Sequence, residues 1–166
     1  LERRLVEFSA RALEALPALG AGAFHAEIFR TPEDKLVLCE IASRTGGARI
    51  VEQVKASHGV HLGRAWARLQ LGLFVDLDSA SESLSYWGHT VVPRPLEGVL
   101  QRPPEPGQFD WAFSEKIHAE VGVRSDEETG RRRNLASALI LGSDDAEIER
   151  RMRTWSEYVQ ANSAWT

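Results

Sequence analysis

Between Gly22 and Gly47 the chain reads GAFHAEIFRTPEDKLVLCEIASRTGG. Two runs of β-forming residues flank a turn-rich Thr31-Pro32-Glu33-Asp34-Lys35 segment, and that arrangement leaves a β-hairpin as the local structure that fits it. Each run changes character at every second residue. Phe24, Ala26 and Ile28 on the first strand, with Val37, Cys39 and Ile41 on the second, form an apolar face expected to lie on a core. The other face carries His25, Glu27 and Phe29, then Leu38, Glu40, Ala42 and Arg44. With the turn centred between Glu33 and Asp34, Glu27 falls opposite Glu40 and His25 opposite Ala42. Like charges roughly 5 Å apart across a strand pair are destabilising, so something must offset the repulsion. A bound divalent cation would do so; solvation of both carboxylates, a shared proton or pairing with Arg44 are the other solutions.

The stretch HAEIFRTPEDKLVLCEIASRTGG resembles the metal-binding hairpin of the ATP-grasp ligases, and the likeness extends over about residues 1–75. In that family an acidic residue on one strand and a Glu on the next hold magnesium against ATP phosphates. The resemblance therefore implies Glu27 and Glu40 as ligands of Mg2+ (or Mn2+), and ATP as the nucleotide. Family members commonly follow the second acid as Glu-x-Asn-x-Arg, whereas this chain has Glu40-Ile41-Ala42-Ser43-Arg44. Arg44 matches, and Ala42 stands where the Asn amide is usual. The same resemblance implies that Arg44, Gly46 and Gly47 orient the acyl substrate or the transferring phosphoryl group, with Arg44 as the catalytic cation. It implies an α+β fold, an antiparallel sheet with flanking helices, corresponding to the C-terminal portion of an ATP-grasp fold. The implied activity is that of a carboxylate–amine (or thiol) ligase: ATP converts a small carboxylate into an acyl phosphate, an amine-type nucleophile displaces phosphate, and ADP is released. A non-catalytic ligand-binding or regulatory domain of the same fold is the alternative that Ala42 favours, and a biotin-carboxylase-like enzyme acting on bicarbonate is a third.

Composition narrows the partners. A net charge of −4 argues against a dedicated nucleic-acid surface, because phosphate binding draws on clustered Lys and Arg, and Arg131-Arg132-Arg133 is the one short basic run. The single cysteine, Cys39, excludes an intramolecular disulfide and suits a reducing cytoplasm. No apolar stretch approaches membrane-spanning length. His58, His61, His89 and His118 show no zinc-ligand spacing with Cys39, and His25 is expected to be a hydrogen-bonded structural group. No Gly-rich phosphate loop of the GxxxxGKS/T kind occurs. The chain opens in helical sequence without an initiator Met, so it is expected to be a piece of a longer polypeptide and inactive as a ligase by itself, one side of the nucleotide clamp lying elsewhere.

Along the chain, Leu5, Phe8, Ala12 and Leu16 form the apolar stripe of a helix over residues 1–16, stopped by Pro17 and Gly20. After the hairpin, Thr45-Gly46-Gly47 leads into a helix from about Ala48 to Ser57, whose first amides, with Arg44 and Arg49 nearby, would favour an anionic group. A further helix runs from near His61 to Gly72 with Leu62, Ala65, Trp66 and Leu69 inward. A soft boundary near Asp78 divides the chain into residues 1–78, the helix, hairpin and two helices, and 79–166, a small α+β subdomain. Leu84–Val92 and Leu96–Leu100 read as short strands, Gln101–Gly107 as a loop because of its three prolines, and Phe109–Val123 as ambiguous between strand and helix. Arg124–Asn134 is a polar surface loop and the expected first site of proteolysis. Leu135–Leu141 is a buried strand. Asp144 and Glu147 then open a last helix with Ile148, Met152, Trp155 and Val159 on its inner stripe.

Overall fold

A computed structural model describes residues 1–17, 20–77, 85–125 and 133–166. The elements are helix α1 (Glu2–Glu14), strands β1 (His25–Arg30) and β2 (Leu36–Ala42), helices α2 (Ile50–His58) and α3 (Leu62–Gln70), strands β3 (Tyr86–Pro93), β4 (Leu100–Arg102), β5 (Ala112–Ile117) and β6 (Asn134–Gly142), helix α4 (Asp145–Ala161) and strand β7 (Ala164–Trp165). All pairings between these strands are antiparallel: β1 with β2, a three-stranded sheet in the order β3-β6-β5, and β4 with β7. The α+β class read from the sequence holds.

The hairpin forms with the expected pairing at the end away from its turn, by a different route. Its loop has three central residues: the Asp34 amide donates to the Thr31 carbonyl, and the Thr31 amide to the Lys35 carbonyl, each at 2.9 Å. Pro32 presets the turn, and Asp34 closes it in the left-handed region at φ 62. This loop moves the pairing one residue from a turn centred between Glu33 and Asp34. A one-residue bulge then moves it back, so that Ile28 faces Leu38 while Glu27 faces Glu40, Ala26 faces Ile41 and His25 faces Ala42. Cys39 is the extra residue. The expectation of a buried Cys39 is therefore corrected: it is exposed, and Phe24, Ile28 and Ile41 are half-buried. The bulge also exchanges two neighbours, putting Val37 opposite Phe29, on the face of the acids, and Leu38 opposite Ile28.

The main core lies in the second half of the sequence, where Val92, Leu100, Leu135, Ala136, Ala138, Ile140, Trp155 and Val159 are buried. Strand β6 is buried continuously from Leu135 to Ile140 because it is the central strand and both its faces are covered. Helix α4 packs on the face of Gly88 and Thr90, and α2 approaches the other through Gln53, which bonds the Trp87 carbonyl at 2.7 Å and His89 Nδ1 at 2.5 Å. The α4 start is as expected: the Glu147 amide donates to Asp144 Oδ1 at 2.8 Å, while the Glu147 carboxylate accepts from the Ser143 amide and hydroxyl. By contrast, α1 buries no residue, so its expected role as a cover for a sheet is only partly met. Only Leu100 of the expected Leu96–Leu100 strand lies in one, and Phe109–Val123 resolves into β5 followed by a turn. Most of the expected 124–134 loop, and the boundary at Asp78, fall outside the described residues.

Gly88 and Gly142 are where α4 sits down on this sheet. A Cβ at Gly88 would lie 2.6 Å from Ile148 Cγ2 and 3.0 Å from Met152 Sδ. Gly88→Ala is expected to push α4 off the sheet and cost about 1–3 kcal/mol, read as a fall in the urea midpoint at unchanged m-value. An unaltered midpoint would show that the contact yields freely.

Candidate functional site

Two groups of residues meet at the loop joining the hairpin to α2. The first is the acidic row. Glu27 and Glu40 are direct cross-strand partners and project from the same face. His25 Nε2 lies 3.4 Å from Glu27 Oε1, and Arg44 Nη2 donates to Glu40 Oε1 at 3.2 Å. Arg44 Nη1 donates to the Thr45 carbonyl, also at 3.2 Å, so its planar fork is held by two acceptors. The apolar neighbours on this face, Phe29 and Val37, are 63% and 48% exposed. Repulsion between the carboxylates is thus offset in part by the Arg44 guanidinium.

As a donor set, this row suits magnesium, which keeps several waters and is commonly held by one or two carboxylates plus substrate phosphates. It does not suit an ion that demands a closed protein cage, because no group of three or more His, Cys, Asp or Glu placed to hold a metal occurs among the described residues.

The second group surrounds a cavity of about 550 Å³ beneath the loop, lined by Thr45 to Arg49, Val51 and Glu52 of α2, Val91, Lys116, His118, Asn134 and Ser137. Gly46 packs closely against Ile50, so that a Cβ there would lie 2.7 Å from Ile50 Cδ1 and 3.0 Å from Ile50 Cβ, whereas Gly47 faces open space. Ala48 and Arg49 both take positive φ, 45 and 77. This bend turns the Arg49 side chain onto the sheet, where Nη1 donates to the Ser114 carbonyl at 2.5 Å and lies 3.4 Å from Ser137 Oγ. Arg49 Nε is buried without a hydrogen-bond partner among the described residues. Strand β5 meets it with its own bulge, between Phe113 and Lys116, where Ser114 adopts φ 48. The bulge sets Lys116 beside Ser137, whose partner across β6 is Val91, so one row of the sheet forms the cavity floor. His118 Nε2 is 2.8 Å from Ser137 Oγ.

Sequence reasoning gave Gly46 and Gly47 to the substrate together with Arg44, and noted Arg49; both glycines and Arg49 line this cavity. It separated them less cleanly from Arg44, which turns to Glu40 and does not line the cavity. It missed Lys116, His118, Asn134 and Ser137. The available signals were the alternation of Lys116 and His118 in SEKIHAE and the lone hydroxyl inside LASALIL. A second cavity of about 610 Å³, between the end of α2 and α3, contains none of the expected site residues. Two of its polar side chains are already engaged, Arg68 with the Phe74 carbonyl and His61 with the Arg64 amide.

Positive charge shapes the titration of this region. The His118 imidazole is held below the ordinary value near 6.5 by burial first, then by Arg49, Lys116 and Arg94. His89 is lowered by burial and Arg49, with Glu52 opposing. Protonating either is harder in the folded chain than in the unfolded one. Stability should therefore be flat above about pH 6.5 and fall as the pH drops below it, because the unfolded state then binds more protons. Asp34, lowered by Arg30 and Arg4, and Glu147, lowered by Ser143, add a further loss nearer pH 4. Thermal melts should show Tm declining already between about pH 6.5 and 5, and a His89→Asn/His118→Asn double variant should flatten that part of the profile. An unchanged slope in the double variant would contradict this assignment.

No protein-family model and no curated protein matches the chain. Solved structures do. L-amino acid ligase from Bacillus licheniformis superposes with a TM-score of 0.75 at 15% identity, over 98% of this chain and 41% of that one. Phosphoribosylglycinamide synthetase from Anaerococcus prevotii gives 0.66 at 10% identity, over 87% and 37%. The biotin carboxylase domain of 2-oxoglutarate carboxylase from Hydrogenobacter thermophilus, solved with MgADP, ADP and bicarbonate, gives 0.59 at 15% identity, over 87% and 32%. The chain thus spans about two-fifths or less of the length of each.

Proposed function

We propose that this chain, which has an ATP-grasp-like fold, forms part of an ADP-forming ligase that activates a small carboxylate for attack by an amine. The observation that carries the reading is the register of the hairpin, which sets Glu27 against Glu40 on one face at the edge of a loop rich in backbone donors and cations. In this reading the two carboxylates hold Mg2+ or Mn2+. Bound there, the ion would neutralise charge on the phosphates of ATP during transfer. Arg44, fixed by Glu40 and the Thr45 carbonyl, keeps a guanidinium between the acidic row and the Gly46-Gly47 loop, where it orients the transferring phosphoryl or acyl group. Gly46 lets that loop lie close over α2.

The reaction forms a carboxyl oxygen–phosphorus bond with release of ADP. The amine nitrogen then bonds to the acyl carbon, the carbon–oxygen bond to phosphate breaks, and the amine loses a proton. We place the protein in a reducing cytoplasm, which suits its lone exposed thiol. Among the described residues no helix is long and apolar enough to cross a membrane.

One observation favours a second reading, a non-catalytic domain that binds ligand for regulation: Ala42 offers no metal-ligating amide, and Glu40 already carries Arg44. Trapping separates the two. The complete reading frame encoding this chain, incubated with ATP, Mg2+, hydroxylamine and each of a panel of amino acids and other small acids, should yield acid-dependent hydroxamate and an equal amount of ADP. Nucleotide binding without hydroxamate from any acid would favour the regulatory domain, and AMP as the product would contradict the ligase chemistry.

A further inference from the structure

We infer that the cavity between the end of α2 and α3 is a binding site for a small phosphate monoester, in which Lys55 and Arg64 are the anchoring cations and Val60, Ala65 and Phe74 take the rest of the molecule. Its volume, about 610 Å³, lies in the range of small-molecule sites. It opens at the far end of α2 from the Thr45–Arg49 loop, about 13 Å along a nine-residue helix, and shares no lining residue with the cavity there. One wall is a built turn. Helix α3 is followed by Gly72 at φ 68, with the Leu73 amide donating to the Arg68 carbonyl at 2.9 Å and the Gly72 amide to the Leu69 carbonyl at 3.0 Å, the paired bonds of a left-handed helix cap. Arg68 then donates from Nε and Nη2 to the Phe74 carbonyl at 3.2 and 3.0 Å. These bonds hold Phe74 at the cavity while leaving it 80% exposed, an aromatic surface available to a ligand.

Charge placement selects the ligand. Lys55, Arg64 and Arg68 share the lining with one carboxylate, Asp76, in a chain whose net charge is −4. Arg64 and Arg68 stand four apart on α3, where like charges repel, and Arg64 lies in the first turn, the end of a helix that disfavours a cation. Helix α3 contains no acidic residue to offset them. Neither Lys55 nor Arg64 has a side-chain hydrogen bond or ion pair among the described residues. A bound anion would supply the missing counter-charge. The excess of two fixed positive charges matches the dianion of a phosphate monoester better than a single carboxylate, and a guanidinium fork beside an ammonium suits phosphate oxygens. His61 adds a neutral donor to the same lining: its Nδ1 accepts from the Arg64 amide at 3.2 Å, which leaves the proton of the neutral ring on Nε2. The site stands independently of the ligase reading.

The test titrates the 15N-labelled chain with phenyl phosphate, at constant ionic strength in chloride, with inorganic phosphate and succinate as comparators. Phenyl phosphate should shift the amides of Gly59, Val60 and Phe74 saturably, and bind more tightly than either comparator. Lys55→Gln and Arg64→Gln, both at exposed residues, should each weaken binding on the order of tenfold or more. Arg153→Gln, an equal loss of charge on α4, should leave it unchanged. Phe74→Ala should remove the advantage of phenyl phosphate over inorganic phosphate. Without ligand, Arg64→Gln should keep or raise Tm, since it relieves a like-charge pair. Unmoved amides, shifts centred on Gly46 and Gly47, or a folded Arg64→Gln chain that binds as the unaltered chain does would overturn the site. A lower Tm for Arg64→Gln would show that the fold itself uses this cation, and would overturn its assignment as an anchor kept for a ligand. Succinate binding as tightly would overturn the assignment to phosphate, and inorganic phosphate binding as tightly would overturn the role of Val60, Ala65 and Phe74.

Discussion

Trp155→Ala should leave the chain largely unfolded under conditions where the unaltered protein is fully folded. Trp155 is completely buried on α4 and belongs to the core formed with Val92, Leu100, Leu135, Ile140 and Val159. Its indole N–H also donates to Glu115 Oε2 at 2.8 Å, while the other oxygen of that carboxylate accepts from the Gly107 amide. Truncation removes the largest buried side chain, opens a cavity and frees one arm of this link between α4 and β5. Core Trp→Ala changes cost about 3–5 kcal/mol, a large share of the ~5–15 kcal/mol that holds a domain together. Trp155→Phe should cost less, since it keeps a ring and gives up the hydrogen bond. Urea unfolding followed by far-UV circular dichroism is the appropriate measurement, because five Trp residues blur fluorescence. A loss below about 1 kcal/mol for the alanine variant would mean that the core is not organised around α4.

The second large effect concerns catalysis rather than stability. Glu40→Gln removes a like charge from opposite Glu27 with little change in shape, and the Arg44 pair it weakens is exposed, where such pairs contribute little. Folding should survive. On the proposed metal-holding role, turnover in the complete reading frame should fall on the order of 10²-fold or more with Mg2+ saturating, because the ion's main contribution would be to charge that develops in the transition state. Glu27→Gln should behave alike. Arg44→Lys is also expected to be damaging, since a single ammonium cannot hold Glu40 and the Thr45 carbonyl in the same plane. Unchanged kcat from folded Glu40→Gln protein would remove the acidic row from the reaction and leave the regulatory reading ahead.

The pairing of Glu27 with Glu40 was legible because alternation at period two fixes which residues share a face wherever the ladder is regular. Two irregularities escaped that logic and cancelled: a longer loop at Pro32-Glu33-Asp34 and the bulge at Cys39. A bulge is an event in the backbone ladder with no obligatory side chain, so nothing in LVLCEIA marks Cys39 as the residue that leaves the pairing. The same holds at β5, where the bulge at Ser114 and Glu115 interrupts alternation and made Phe109–Val123 unreadable as one element. Helix α4 was legible because its cap and its stripe are local signals. The cavity under the loop was not, because Arg49 meets Ser114 and Ser137 across 65 and 88 residues of sequence, and only the packing of α2 on the sheet brings them together.

The central claim, that Glu27 and Glu40 together hold a divalent ion, is tested most directly by adding substoichiometric Mn2+ to the 15N-labelled chain and mapping paramagnetic broadening of its amides. The account predicts broadening centred on Glu27 and Glu40 and reaching His25 and Arg44, reversed by excess Mg2+ and abolished in both Glu27→Gln and Glu40→Gln. Broadening centred instead on other acids, such as Asp34 or Asp144-Asp145, or undiminished in the two Gln variants, would contradict it.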